Sequence, residues 1–338
     1  MKNDRRDFLK TVGGVPLALA GSSAAGQDRG EVGRDGSAAA APRASGTSRF
    51  ALEVDGASVG VLKGYAGGTI GAEVVEEAPG EDGVIRKHLG RIQYEDLSLT
   101  TTSDLLKPPF FNWVADTLGR NFTPHDGSVR AFDFNFKETR EVRFENGLLT
   151  EVGFPSLDAG AKEAALFGFV VKPGNLQVKA GSGDKVTVPL GKAKQAQRSN
   201  FRLTIDGLGK AAPKVSKIDA FRVKMQVLSF GDEGCSPGEF GPGPLAIDDL
   251  VIRCAESAAQ ELYDWHQDFV IKGACGGESK GERAGTLELL TPDLKTVLLT
   301  IQFKGLGIHE LSVETSGPGE GISSVVARMY CEEVALKA

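Results

Sequence analysis

Tryptophan occurs twice in the 338 residues, methionine three times, and histidine and cysteine four times each. Four histidines and four cysteines leave little material for a metal cluster, and no Cys-x-x-Cys pair is present. A Gly-x-Ser-x-Gly nucleophile elbow is missing, as is a P-loop: Gly191-Lys192 runs into Ala193 without the hydroxyl residue or the upstream glycine. Positive charge is outnumbered, 39 Lys and Arg against 45 Asp and Glu. A net charge of -6 argues against a nucleic-acid-binding or polybasic membrane surface. Aromatic residues reach only 7% while glycine numbers 44, the balance of a turn-rich β protein rather than a helical bundle. What is present suffices for a core: 41% hydrophobic and 25% charged residues, over a length of about two domains.

The N-terminus reads as an address. Arg5-Arg6 precede Phe8-Leu9-Lys10, a mild apolar stretch follows over 12–25, and small residues cluster at Ser23-Ala24-Ala25. The pattern resembles a twin-arginine export signal, with Asp4 where that motif carries Ser or Thr. The apolar stretch is too weak to span a bilayer. Residues 1–27 are therefore expected to be a signal peptide, and the exact cleavage bond stays open. Residues 28–48, rich in Gly, Ala, Ser and Arg, form a flexible linker. Beyond residue 48 the chain holds 32 Lys and Arg against 40 Asp and Glu, net -8.

The body reads as one β module used twice. Arg49-Phe50-Ala51-Leu52-Glu53-Val54-Asp55-Gly56 is echoed by Asn200-Phe201-Arg202-Leu203-Thr204-Ile205-Asp206-Gly207, both alternating and both closed by an Asp-Gly turn. Tyr94-Glu95-Asp96-Leu97-Ser98-Leu99 corresponds to Ile247-Asp248-Asp249-Leu250-Val251-Ile252. A tryptophan segment follows each. Phe50 to Trp113 is 63 positions and Phe201 to Trp265 is 64.

Those segments are the two expected helices. Phe110, Trp113, Val114 and Leu118 make one apolar stripe, with Pro108-Pro109 setting the start. Leu262, Trp265, Phe269 and Val270 make the other, with Ser257 as N-cap. Both tryptophans are expected in the core. Further strands are expected over 128–136, 141–144 leading to an Asn146-Gly147 turn, 164–171, 285–290, 296–303 leading to a Gly305 turn, and 324–334. The expected class is mainly β: two tandem β-sandwich or barrel modules, 49–186 and 200–338, each with one flanking helix. Residues 187–199, rich in Lys, Gln and Ala, would link them.

At this point the chain resembles the tail-tube proteins of contractile T-even-type phages, a fold akin to the type VI secretion tube. Phe50-Ala51-Leu52-Glu53-Val54-Asp55-Gly56 resembles that family's opening strand. Val84-Ile85-Arg86-Lys87 with Gly90 and Tyr94 resembles the segment before its central strand, and Asn112-Trp113 its helical tryptophan. Pro155-Ser156-Leu157-Asp158-Ala159, then Glu163-Ala164-Ala165-Leu166, resembles its closing pattern. The first repeat covers the pattern almost end to end and the second only loosely. Glu314-Thr315-Ser316-Gly317-Pro318-Gly319 replaces the Leu-Asp-Ala turn, and residues 231–244 form a Gly/Pro-rich loop where the family has a hairpin joining neighbours around the tube.

The resemblance implies a structural, self-associating protein: rings of six modules, hence three chains, stacked into a hollow tube. Other tail-like or injection-system components are the implied further partners. No catalytic residue, cofactor or metal site is expected, and neither sequence-specific nucleic acid nor an integral membrane segment in the mature chain. The export signal would carry the chain to the periplasm or beyond. An exported β-sandwich module binding a glycan or a cell-surface partner keeps the fold and drops the tube. An exported cofactor enzyme is a third reading without a supporting constellation.

The remaining chemistry is sparse. His88, His125, His266 and His309 are scattered singly. His266 lies beside Asp264 and Asp268, but Trp265 and Phe269 make it a helix-surface position. Cys254 and Cys331 fall on expected strands, Cys235 and Cys275 in Gly-rich loops, so bridges within each pair and four free thiols all stay open. The acidic run Glu76-Glu77 with Glu81-Asp82 reads as a solvated turn, with calcium as the alternative.

Overall fold

The computed structural model describes residues 49–185, 195–230, 239–273, 281–315 and 323–337. The signal and first-linker expectations, with Cys235 and Cys275, lie outside them. The first half supplies β1 (Arg49–Val54), β2 (Ala57–Leu62), β3 (Gly64–Gly67), β4 (Ile70–Glu76), β5 (Lys87–Tyr94) and β6 (Leu97–Thr102). Helix α1 (Phe110–Leu118) follows, then β7 (His125–Phe132), β8 (Glu138–Phe154), β9 (Leu157–Asp158), β10 (Leu166–Lys172) and β11 (Asn175–Ala180). The second half supplies β12 (Phe201–Ile205), β13 (Val215–Ile218), β14 (Phe221–Phe230), β15 (Glu239–Ile247) and β16 (Leu250–Ala255). After α2 (Gln260–His266) come β17 (Arg283–Leu290), β18 (Val297–Thr315), β19 (Ser323–Tyr330) and β20 (Glu333–Lys337). The protein is mainly β, and the described residues all fall in one compact unit.

Local sequence explains the opening of the first half. Asp55 and Gly56 both take positive φ, 50° and 76°, as a two-residue hairpin turn between β1 and β2 requires. Strand order in the first main sheet is β2-β1-β7-β8-β10-β6-β3, with β11 also on β8. In the second it is β12-β17-β18-β19-β16-β13-β9, with β20 also on β18. Hairpin β4–β5 forms a separate two-stranded sheet, whereas hairpin β14–β15 joins the first main sheet through β8.

Both expected turns after the helices are corrected. Asn146 has φ of 50° and Gly305 of 63°, yet β8 and β18 run on through them. One left-handed residue inside a paired strand bends it without reversing it. Each long strand thereby changes partner. β8 pairs with β7 up to Gly147 and with β10 from Leu148 onward. β18 pairs with β17 up to Leu306 and with β19 from Gly307 onward. The strand expected over 324–334 is in fact two, β19 and β20, broken around Cys331 so that both can lie along β18.

The helices bury their stripes: Phe110, Trp113, Val114 and Leu118 in α1, Leu262 and Trp265 in α2. The chain continues from α2 as a π-helical turn that buries Phe269 and leaves Val270 exposed. Ser257 is not the N-cap. It lies in a 3-10 turn over Glu256–Ala258, and Ala259 occupies the cap position. The end of the stretch expected as a linker packs onto the fold. Ala196 is buried, its N–H donating to Ser103 Oγ at 3.2 Å and its carbonyl accepting from Ala165 at 2.8 Å.

Candidate assembly interface

Strand edges organise the surface. Along one edge of β8 run β10 and β11; along the other runs β7 as far as Gly147, and then β14. The β14 contact is antiparallel, with Phe221↔Phe154, Arg222↔Gly153, Val223↔Val152 and Lys224↔Glu151. It joins the second half to the first. Phe154 and Phe221 stack with ring centroids 4.5 Å apart, and Phe221 continues to Phe303 at 5.7 Å. Glu151 lies 3.5 Å from Lys224 Nζ and 3.9 Å from Arg222 Nη1. Beside this contact β9 pairs with β13, Leu157 opposite Ile218. Arg253 holds Asp219 at 2.6 Å and Glu314 at 3.2 Å, and these carboxylates keep its guanidinium above its ordinary pKa.

Along β18 the arrangement differs. β19 and β20 share one edge and β17 covers the other as far as Leu306. Among the described residues no strand covers that second edge from Glu310 to Val313. Hairpin β4–β5 likewise pairs with nothing further among them, and Ile70, Val74, Leu89 and Ile92 are exposed on it.

Sequence-flagged residues are scattered. His88 faces Glu77 at 3.4 Å, and His309 Nε2 faces Asp249 at 2.9 Å. The acids flanking His266 are engaged elsewhere, Asp264 with Gln260 and Asp268 with Lys272. In the acidic run, Glu76 pairs with Lys87, and Asp82 with Arg86 at 2.8 Å, which holds the Asp82 carboxyl below its usual range. No cluster of three or more metal-ligating side chains occurs among the described residues. Cys254 and Cys331 are buried and free, so the strand–strand bridge is not formed. Burial pushes the Cys331 thiol up to about 11 and raises Cys254 as well.

Two features escaped the sequence reading. His125 Nδ1 lies 2.6 Å from Asp55 Oδ2 and its ring 5.0 Å from Trp113. At the start of β17, Arg283 lies 4.3 Å over Trp265, and burial lowers its pKa against the pull of Glu261 and Asp206. A basic residue shortly after each tryptophan helix was the available signal. A cavity of about 560 Å³, lined by Tyr94, Leu148, Asn175, Phe240 and Pro242, opens where β15 meets β11.

Residues 46–172 match a tail-tube family. The matching model is that of the T4-like virus tail tube protein gp19. The tail-tube match runs from just before β1 to the last residue of β10, so it takes in the open hairpin and the whole of β8. Among solved structures, a chain of the PVC sheath-tube complex of an extracellular contractile injection system aligns at 18% identity. It covers 39% of this chain and 88% of its own, with a TM-score of 0.35. A chain of the anti-feeding prophage baseplate aligns at 12% identity over 41% and 97%, with a TM-score of 0.34. Hcp1 from Flavobacterium johnsoniae aligns at 12% over 40% and 93%, with a TM-score of 0.25. No curated protein matches.

Proposed function

We propose that this chain is a structural, non-catalytic subunit of tail-tube type, carrying two modules in tandem. Three chains supply six modules to a ring, and rings stack into a hollow tube with other injection-system components at its ends. The tail-tube match over residues 46–172 carries the reading. The strand order β12-β17-β18-β19-β16-β13, parallel to β1-β7-β8-β10-β6-β3, supports extending it to the second half. Arg5-Arg6 and the stretch after them support export by the twin-arginine route and a site of action beyond the inner membrane. No helix among the described residues is long and apolar enough to cross a membrane. The cavity beside Tyr94, Asn175 and Phe240 favours the second reading, an exported glycan-binding module. Light-scattering mass and negative-stain microscopy of the purified chain separate them. Rings or filaments are expected; a monomer at micromolar concentration that binds glycan would replace the tube with the binding module.

A further inference from the structure

The contact of β14 with β8 has a half-built twin at each end of the chain. Matching the halves strand by strand sets β4 against β14, β5 against β15 and β18 against β8. Both hairpins skip one residue at the same place: the β4–β5 register shifts between Ala72 and Val74, and the β14–β15 register between Met225 and Val227. Their bases share one hydrogen-bond pattern. Arg222 N–H donates to the Asp248 carboxylate and its carbonyl accepts from Asp248 N–H. Thr69 and Glu95 repeat both bonds. Thr69, Ile70 and Gly71 therefore stand where Arg222, Val223 and Lys224 stand, while Gly68, at the place of Phe221, turns off the strand line with a φ of 74°.

The acceptor edges match equally well. β8 skips a residue between Leu149↔Val171 and Glu151↔Val170, and β18 between Ile308↔Met329 and Glu310↔Arg328. Glu310, Leu311, Ser312 and Val313 thus correspond to Glu151, Val152, Gly153 and Phe154. Burial shows which copy is complete. Val223 is 2% exposed and Phe154 3%, whereas Ile70 is 42% and Val313 52% exposed.

We infer that β4 of one chain, with Thr69 before it, pairs with β18 of a second copy in the register β14 keeps with β8: Thr69↔Ser312, Ile70↔Leu311 and Gly71↔Glu310. This rests on reading the halves as repeats. Strand alternation turns the backbone groups of Ile70 away from β5, toward the open edge. A neighbouring copy is the occupant because the chain already holds both sides of the contact, each lacking its mate. The two sides are different surfaces, so the contact is head-to-tail and propagates until it closes. It is also the weaker of the two contacts. Val313 and Gly68 replace the stacked phenylalanines, and Gly71 brings no cation to Glu310, whose carboxylate lies 3.6 Å from Arg328 of its own chain.

The test uses the full chain with Thr69→Cys and Ser312→Cys made separately, then mixed and oxidised. Opposed strand positions lie within disulfide reach. Mixing is expected to give a crosslinked dimer that neither variant forms alone, and the double variant a ladder of larger species. A second variant, Ile70→Lys, changes an exposed side chain and is expected to weaken association by about tenfold or more with unchanged circular dichroism. Wild-type rings without the Thr69–Ser312 crosslink would overturn this pairing and leave the tube reading standing. Crosslinked chains that never close would uphold the pairing and remove the ring.

Discussion

The rings of Phe154 and Phe221 lie 13° from parallel, one on the last residue of β8 and the other on the first residue of β14. This stack joins the halves of the chain. Truncating either ring to alanine is expected to lower stability by about 3–5 kcal/mol. A double-mutant cycle should return a coupling of about 0.5–1.5 kcal/mol beyond simple burial. Urea unfolding followed by tryptophan fluorescence measures both. Strictly additive losses would mean that the rings fill space without acting on each other.

Asn146 and Gly305 hold the same left-handed bend in β8 and β18. Gly305→Val is expected to cost about 1–2 kcal/mol, because a branched side chain resists positive φ. Asn146→Gly should change stability by only a few tenths of that, about 0.3 kcal/mol, since asparagine tolerates the conformation. Thermal melts of the two variants give the comparison.

Glu261 accepts hydrogen bonds from the backbone N–H groups of Ala211 at 3.0 Å and Lys210 at 2.8 Å. Those bonds hold its carboxyl below the usual range. A depressed folded pKa gives stability that is complete above the unfolded value of about 4.3 and is lost as pH falls through the folded value. Glu261→Gln should therefore lower the melting temperature at pH 7 and have a smaller effect near pH 3. An equal loss at both pH values would show that the charge contributes nothing.

With its pKa pushed up to about 11, Cys331 is almost entirely thiol at pH 8. Roughly one molecule in a thousand would carry the thiolate. Cys254, raised by burial, should behave alike. Iodoacetamide at pH 8 is expected to leave both unlabelled for hours in the native protein and to label both in urea, with peptide mass spectrometry assigning the sites. Rapid native labelling of Cys331 would mean that the break between β19 and β20 opens readily.

Much of the fold is legible because it depends on near neighbours in the chain. The alternation of Leu52 and Val54, the Asp55-Gly56 turn and the stripe from Phe110 to Leu118 each act within a few residues. The errors arise where a local signal is overruled at a distance. Asn146-Gly147 is a good turn sequence, yet pairing with β7 on one side and β10 on the other carries the strand through. Residues 239–244, read as loop for their glycines and prolines, belong to β15. Among the described residues that strand pairs with β14 alone, and proline is tolerated on such an edge and at a bulge, where Pro244 lies between the Leu245 and Pro242 pairs. The covering of β8 by β14 is set by complementarity between segments some 70 residues apart, which neither composition nor period reports.

Carrying the β14–β8 contact within one chain also changes the arithmetic of growth. Half the contacts in a ring would form as each chain folds, without loss of translational freedom. Six modules would close through three encounters instead of six. Modules would enter only in pairs, so a closed ring could never hold an odd number of them.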